Sequence, residues 1–138
     1  MAGHALAIGE AFPDALIVGV EPDTAADFQQ SLESDERLRV DRPSGICDGL
    51  LSYDVGVCNW PILRQHVSLA VTVPDIDTQQ AMKWLYEKHG LCTEPSGAIT
   101  TAAVLTGKVP LDGDGDIVLV VSGRNVDKVQ FHKWIDVK

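Results

Sequence analysis

DIVLVVSGRN, residues 116–125, decides how the chain reads as a fold. An unbroken apolar run from Ile117 to Val121 leads into a Ser122-Gly123 turn, followed by Arg124 and Asn125. A run that is apolar on every side predicts a strand buried on both faces, as in parallel sheets covered by helices. Its carboxyl end carries a hydroxyl, and open α/β sheets bind ligands along that edge. Ser122 is therefore a candidate site residue.

Working outward, LIVGVEP (16–22), SLAVTV (68–73) and LCTEP (91–95) predict three further strands. Between them lie helical patterns. The first runs from Met1 to Phe12 and stops at Pro13-Asp14. TAADFQQSLES (24–34) starts with Thr24 as an expected N-cap. NWPILRQHV (59–67) has Pro61 in its first turn, where a missing N–H costs little. DIDTQQAMKWLYEKHG (75–90) opens on acids and closes on Lys88-His89-Gly90, with Ile76, Met82, Trp84 and Leu85 expected inside. SGAITTAAVLTG (96–107) reads as a helix of small residues, and 35–51 as a crossing segment. Strands alternating with helices predict one three-layer α/β/α unit over 1–138, with a mainly parallel sheet.

A chain of 138 residues can bury a core without staples. Its 45% apolar and 22% charged content is that of a globular protein, and no apolar run reaches the span of a bilayer. The formal charge of −9 repels nucleic acid and anionic membrane, which weighs against both as partners. With no signal-peptide pattern either, cytoplasm is the default expectation. Cys47, Cys58 and Cys92 are odd in number and lack CxxC spacing, so they read as reduced thiols.

Polar residues gather at expected strand ends: Glu21, Asp48-Gly49, Glu94 and Ser122. In a parallel sheet these ends share one edge, though strand ends also turn polar simply on meeting water. Glu21 and Asp27 are hard oxygen ligands suited to Mg²⁺ or Ca²⁺, while Thr24 to Asp27 equally fits a capping box. LDGDGDI (111–117) imitates the opening of a calcium loop. It has Ile117 and Gly123 where that loop needs Gly and a bidentate Glu, so an acidic turn is the better reading. No phosphate-binding glycine motif occurs, and no lysine has the desolvated setting that a Schiff base needs.

Taken in order, VGVEPDTAADFQQS (18–31), GICDGLLSYDVGVCNWPILRQHV (45–67), CTEPSGAITTAAVLTGK (92–108) and IVLVVSGRNVD (117–127) resemble the threonine and serine dehydratases. These stand with serine racemase and hydroxyaspartate ammonia-lyase among pyridoxal-phosphate enzymes of the tryptophan-synthase-β fold. The resemblance covers essentially the whole chain. It implies that Ser122 meets the pyridine nitrogen of pyridoxal phosphate, with Gly123 and Asn125 completing the S-G-G-N turn. It also implies that Glu94 lies beside the ring, that Asp48-Gly49 lines the pocket, and that Glu21, the Ala25 carbonyl and Asp27 bind a cation. A neutral hydroxyl does not hold the ring nitrogen protonated, so it tunes the cofactor as an electron sink. Arg124 departs from the pattern, standing where the family has a second Gly whose backbone freedom a side chain lacks.

Against family chains this sequence corresponds to roughly the last two-fifths, a bound consistent with domain sizes. The resemblance places the covalent lysine and the glycine-rich phosphate loop upstream of Met1, with the helix N-terminus that faces the phosphate beginning at Ala2-Gly3. The implied activity is removal of the β-hydroxyl from threonine, serine or 3-hydroxyaspartate, giving a keto acid and ammonia. Without the lysine, the isolated chain is expected to be inactive. The alternatives are a non-catalytic module for ligand binding, metal binding or oligomerisation, and a hydrolase using Ser122 with Glu94 or Asp48. A sheet lacking neighbouring strands exposes an edge, which predicts a homo-oligomer or association with an N-terminal part.

Overall fold

The computed structural model describes residues 1–111 and 115–137. Along the chain run α1 (Ala2–Ala11), β1 (Val18–Pro22), α2 (Asp27–Ser34), α3 (Trp60–His66), β2 (Leu69–Val73), α4 (Asp75–His89), α5 (Pro95–Leu105) and α6 (Lys128–Ile135). The strands β1 and β2 pair in parallel, Gly19 opposite Ala70 and Val20 opposite Val71. Successive side chains of a strand point to opposite faces, so each pair belongs to one side of the sheet. On the first side, Gly19 lies under the Phe28 ring of α2, where a Cβ would come within 2.7 Å of it. Phe28, Ala70, Ala5 of α1 and Leu63 of α3 form the core there. Val20 and Val71 face the other way, onto a core of Met82 and Leu85 from α4, Ile99 from α5 and Phe131 from α6. This is the expected α/β/α layering.

Two expected strands are not strands. LCTEP gives way to α5 after Glu94, and residues 116–121 carry no ladder, with Ile117 56% and Val118 83% exposed. The physical reason is that an apolar run reports what a segment could bury, whereas a strand also needs a neighbour to hydrogen-bond. In parallel sheets that neighbour comes from sequence-distant chain. Among the described residues none lies beside 116–121. The sheet is accordingly narrower than the periodicity predicts, while its class stands.

The helices follow local rules with informative exceptions. Buried Thr78, Ala81, Met82 and Leu85 give α4 an inner stripe at helical spacing, whereas Ile76 and Trp84, expected inside, lie off that stripe and are exposed. Gly90, in the left-handed region at φ 65°, ends the helix as read. The segment 35–51 crosses with a 3-10 turn at Asp48–Leu50 and an isolated antiparallel bridge of Arg39 to Asp54, whose carboxylate pairs with Arg37 and Arg39 at 3.3 and 3.4 Å. Thr24 does not cap α2. It sits in a preceding 3-10 turn, where its hydroxyl donates to the Ser44 carbonyl, and α2 starts at Asp27. No described helix is long and apolar enough to cross a membrane. The turn at Asp112–Asp114 falls outside the described residues.

Helix α6 is absent from the sequence reading, although its start is well marked. The Asp127 carboxylate accepts the Gln130 N–H at 2.9 Å, a side-chain N-cap. Phe131 then anchors the helix, packing edge-on to Tyr86 of α4 at 5.3 Å between ring centroids. Asp127→Ala is expected to lower stability by about 1 kcal/mol in urea unfolding, with an unchanged slope.

Candidate functional site

The first turn of α5 gathers residues from three parts of the chain. Pro95 occupies a first-turn position whose missing N–H is no loss, and its ring pre-sets the helical φ. Next to it, the Ser96 hydroxyl accepts the Gly49 N–H at 3.2 Å, which ties the Asp48-Gly49 turn to the helix start. Asp48 braces the same N–H, its Oδ1 lying 2.8 Å away. At Gly97 the helix approaches the Ser122 carbonyl so closely that a Cβ would lie 1.6 Å from its oxygen. The Thr100 hydroxyl, one turn further on, donates to the Val120 carbonyl at 3.1 Å.

Glu94, directly before α5, holds the 122–125 turn in place. Its N–H donates to the Gly123 carbonyl at 3.3 Å, and its carboxylate accepts the Asn125 N–H at 3.0 Å. Gly123 takes φ 80°, and a Cβ there would meet Glu94 Oε1 at 2.0 Å. Both the backbone and the space demand glycine at this position. Arg124, by contrast, is exposed and keeps a negative φ. Its replacement of the family's second Gly therefore strains no backbone.

Of the residues expected at one sheet edge, Glu21 stands apart, while Asp48-Gly49, Glu94 and Ser122 lie around the start of α5, with Gly123 and Asn125 of the family's turn beside them. They are assembled by the start of α5 rather than by strand ends. Ser96 and Gly97 were missed by the sequence reading. The signal was present in EPSG: a Pro that opens a helix puts the next two residues in its first turn.

Glu21 and Asp27 lie apart from this group, at the end of β1 and the start of α2. The Glu21 carboxylate accepts the N–H groups of Phe28 at 3.1 Å and Gln29 at 2.6 Å, so it caps α2 from the strand. Burial lifts the Glu21 carboxyl from its ordinary 4.5 to about 7, those two N–H bonds pulling down and the Asp27 charge pushing up. Burial also raises Asp27, against the pull of the Ser52 hydroxyl, which donates to its carboxylate at 3.2 Å. Ala25 is fully buried in the adjoining 3-10 turn. A cation at Glu21, Ala25 and Asp27 would compete with protein donors for both carboxylates. Both carboxylates already accept protein donors, and no group of three His, Cys, Asp or Glu poised for a metal occurs among the described residues. The Glu21 carboxylate faces the positive end of α2.

Comparison with known proteins gives a consistent result. The family described as "Pyridoxal-phosphate dependent enzyme" matches residues 1–123. An L-threo-3-hydroxyaspartate ammonia-lyase of Pseudomonas sp is 32% identical over 92% of the chain, and an L-threonine ammonia-lyase of Geobacter sulfurreducens is 35% identical over the same share. These alignments cover 40% and 31% of those relatives, so the chain spans well under half the length of the proteins it matches. Among solved structures, maize serine racemase superposes with a TM-score of 0.87 at 33% identity, covering 96% of this chain and 41% of that one. A threonine deaminase from T.th. gives 0.84 at 34%, covering 91% and 45%.

Proposed function

The chain belongs to the pyridoxal-phosphate dependent enzymes, and from that premise we propose that it forms one wall of a cofactor site for ammonia-lyase chemistry. The substrate class is a small hydroxy amino acid such as threonine, serine or 3-hydroxyaspartate. The observation that carries this reading is the convergence of Asp48-Gly49, Glu94 and Ser122 to Asn125 on the first turn of α5. The close approaches at Gly97 and Gly123 seat the 122–125 turn on the start of α5, which fixes where Ser122 stands. When bound, pyridoxal phosphate supplies an electron sink for charge developing on the substrate's α-carbon.

The chain's own residues then hold and orient. The exposed Ser122 hydroxyl offers the ring nitrogen a neutral partner. Glu94 ties down the 122–125 turn, and the Gly49–Ser96 hydrogen bond fixes the Asp48-Gly49 turn against the start of α5. The Mg²⁺ or Ca²⁺ expected at Glu21 forms no part of this proposal, because its donors already serve α2.

Covalent entry is another matter. Lys83 donates to the Val137 carbonyl at 2.8 Å, and Lys88, Lys108, Lys128 and Lys133 are exposed. None of these described lysines has the dry surroundings that hold an amine unprotonated near neutral pH. We therefore infer that the lysine comes from another stretch of polypeptide, and that this chain alone does not turn over. The test adds pyridoxal phosphate to the isolated chain, with threonine, serine and 3-hydroxyaspartate in turn. Expected are no protein-imine absorption and no keto acid; either signal, once lost on changing a single lysine, would overturn the inference.

A further inference from the structure

We propose that residues 40–53 form a hinged flap over the start of α5, which opens as one unit while the rest of the protein stays folded. The two ends of this segment meet. The Val40 N–H donates to the Tyr53 carbonyl at 2.8 Å, and Arg39 and Asp54 form the antiparallel bridge just outside them. The Arg39 guanidinium also lies over the Tyr53 ring, 4.6 Å from its centroid. A surface segment closed at its ends in this way is an Ω-loop. Its neck is the hinge, because the chain enters and leaves through one pair of neighbouring residues.

Beyond the neck, no backbone–backbone hydrogen bond joins the loop to another element among the described residues. Side chains hold it instead. The Thr24 hydroxyl donates to the Ser44 carbonyl, and the Asp75 carboxylate at the start of α4 accepts the Ile46 N–H at 3.2 Å. Ser96 accepts the Gly49 N–H at 3.2 Å, and the Ser52 hydroxyl donates to Asp27 at 3.2 Å. Each such bond contributes little net, because water takes over its groups when it opens. Of residues 40–53 only Cys47 is buried, with Ile46 and Leu50 packed beside it on the core of Met82 and Ala98. A segment with so little buried apolar surface opens without global unfolding. The strands β1 and β2, paired along their length between two cores, open only with the whole. Opening lifts Asp48-Gly49 off Ser96 and uncovers that flank of α5. That a ligand enters there rests on the cofactor reading, whereas the motion itself does not.

Cys47 reports the motion. In the closed loop, burial and the Asp75 charge push its thiol up to about 12, so it does not react until the flap lifts. The experiment adds a thiol reagent to the Cys58→Ser chain, Cys58 being the exposed native thiol, and follows Cys47 by peptide mass apart from Cys92. Labelling of Cys47 should run at least about tenfold faster than global unfolding allows and depend little on low urea. The Ile46 and Gly49 amides should show the same protection against hydrogen exchange as the thiol shows against labelling. A Cβ on Gly49 would stand 3.5 Å from the Ser96 Cβ, within disulfide range, so Gly49→Cys with Ser96→Cys ties the flap down. When oxidised, that variant should label Cys47 at least about tenfold more slowly than its parent. Labelling only at the rate of global unfolding overturns the proposal, as does an oxidised lock that leaves the rate unchanged. Unequal protection of the two amides also overturns it, because the loop would then fray piece by piece. Every readout is made without pyridoxal phosphate, so the flap and the cofactor reading fail separately.

Discussion

Gly97→Ala is expected to detach residues 119–125 from α5 and to destabilise the protein by about 2 kcal/mol. Two effects compete in this substitution. Alanine inside a helix is favoured over glycine by about 1 kcal/mol through backbone entropy alone. At Gly97, however, the new Cβ would lie 1.6 Å from the Ser122 oxygen and 2.7 Å from its carbonyl carbon. Those are main-chain atoms, so relief requires moving the whole turn, and overpacking of that kind costs typically about 1–3 kcal/mol. The steric effect wins. Gly3→Ala provides the contrast, since a Cβ in that helical position meets nothing within 4 Å and should stabilise.

The consequence at the site is larger than the loss of stability. Once the turn leaves α5, Ser122 no longer stands opposite Glu94, and the wall offered to the cofactor is lost. Hydrogen exchange should show the Asn125 amide, which Glu94 holds in the native protein, losing protection in Gly97→Ala. Protection unchanged, with stability raised, would mean that the turn does not rest on α5.

Glu21→Gln is expected to flatten the pH dependence of stability and to raise stability by up to about 3 kcal/mol at pH 8. The buried Glu21 carboxyl binds its proton up to about 7 in the fold, against 4.5 ordinarily. Its folded value is raised, so its stabilising contribution is complete below 4.5 and is lost as pH climbs towards 7. Above that, the native protein carries a desolvated charge that the unfolded chain solvates freely. Glutamine carries no charge; its single oxygen can keep the Gln29 N–H bond while its NH2 faces the Phe28 N–H and forfeits that one, a loss of about 1 kcal/mol that sets the gain below its upper bound.

Urea unfolding across pH 4–8 should show the wild type losing stability in that window and the variant losing less. Adding Mg²⁺ or Ca²⁺ to the wild type at pH 8 should leave its melting temperature unchanged. A rise with cation that disappears in Glu21→Gln would restore the metal reading of Glu21, Ala25 and Asp27.

How far the fold was legible follows from where its information sits. The helix boundaries at Gly90 and Pro61 were marked, because caps and proline act within one turn of chain. The parallel pairing of 18–22 with 69–73 was implied by apolar runs separated by helices. The strand expected at 116–121 was misread for the opposite reason: its apolarity is local, whereas its pairing partner would have to come from elsewhere. Glu21 shows the same division. Its acidity and its place beside Asp27 are plain in the sequence and fit a cation equally well. Only the folded distance to the N-terminus of α2 identifies it as a cap.

By itself, then, the sequence determined the α/β class, the family, and the residue types able to stand at a cofactor's edge, because periodicity and ordered motifs survive without coordinates. Tertiary structure alone decided that Asp48, Glu94 and Ser122 meet on one helix start, and that Ser96 and Gly97 belong with them. Those are distances between residues far apart along the chain, and such distances exist only once packing has brought the residues together.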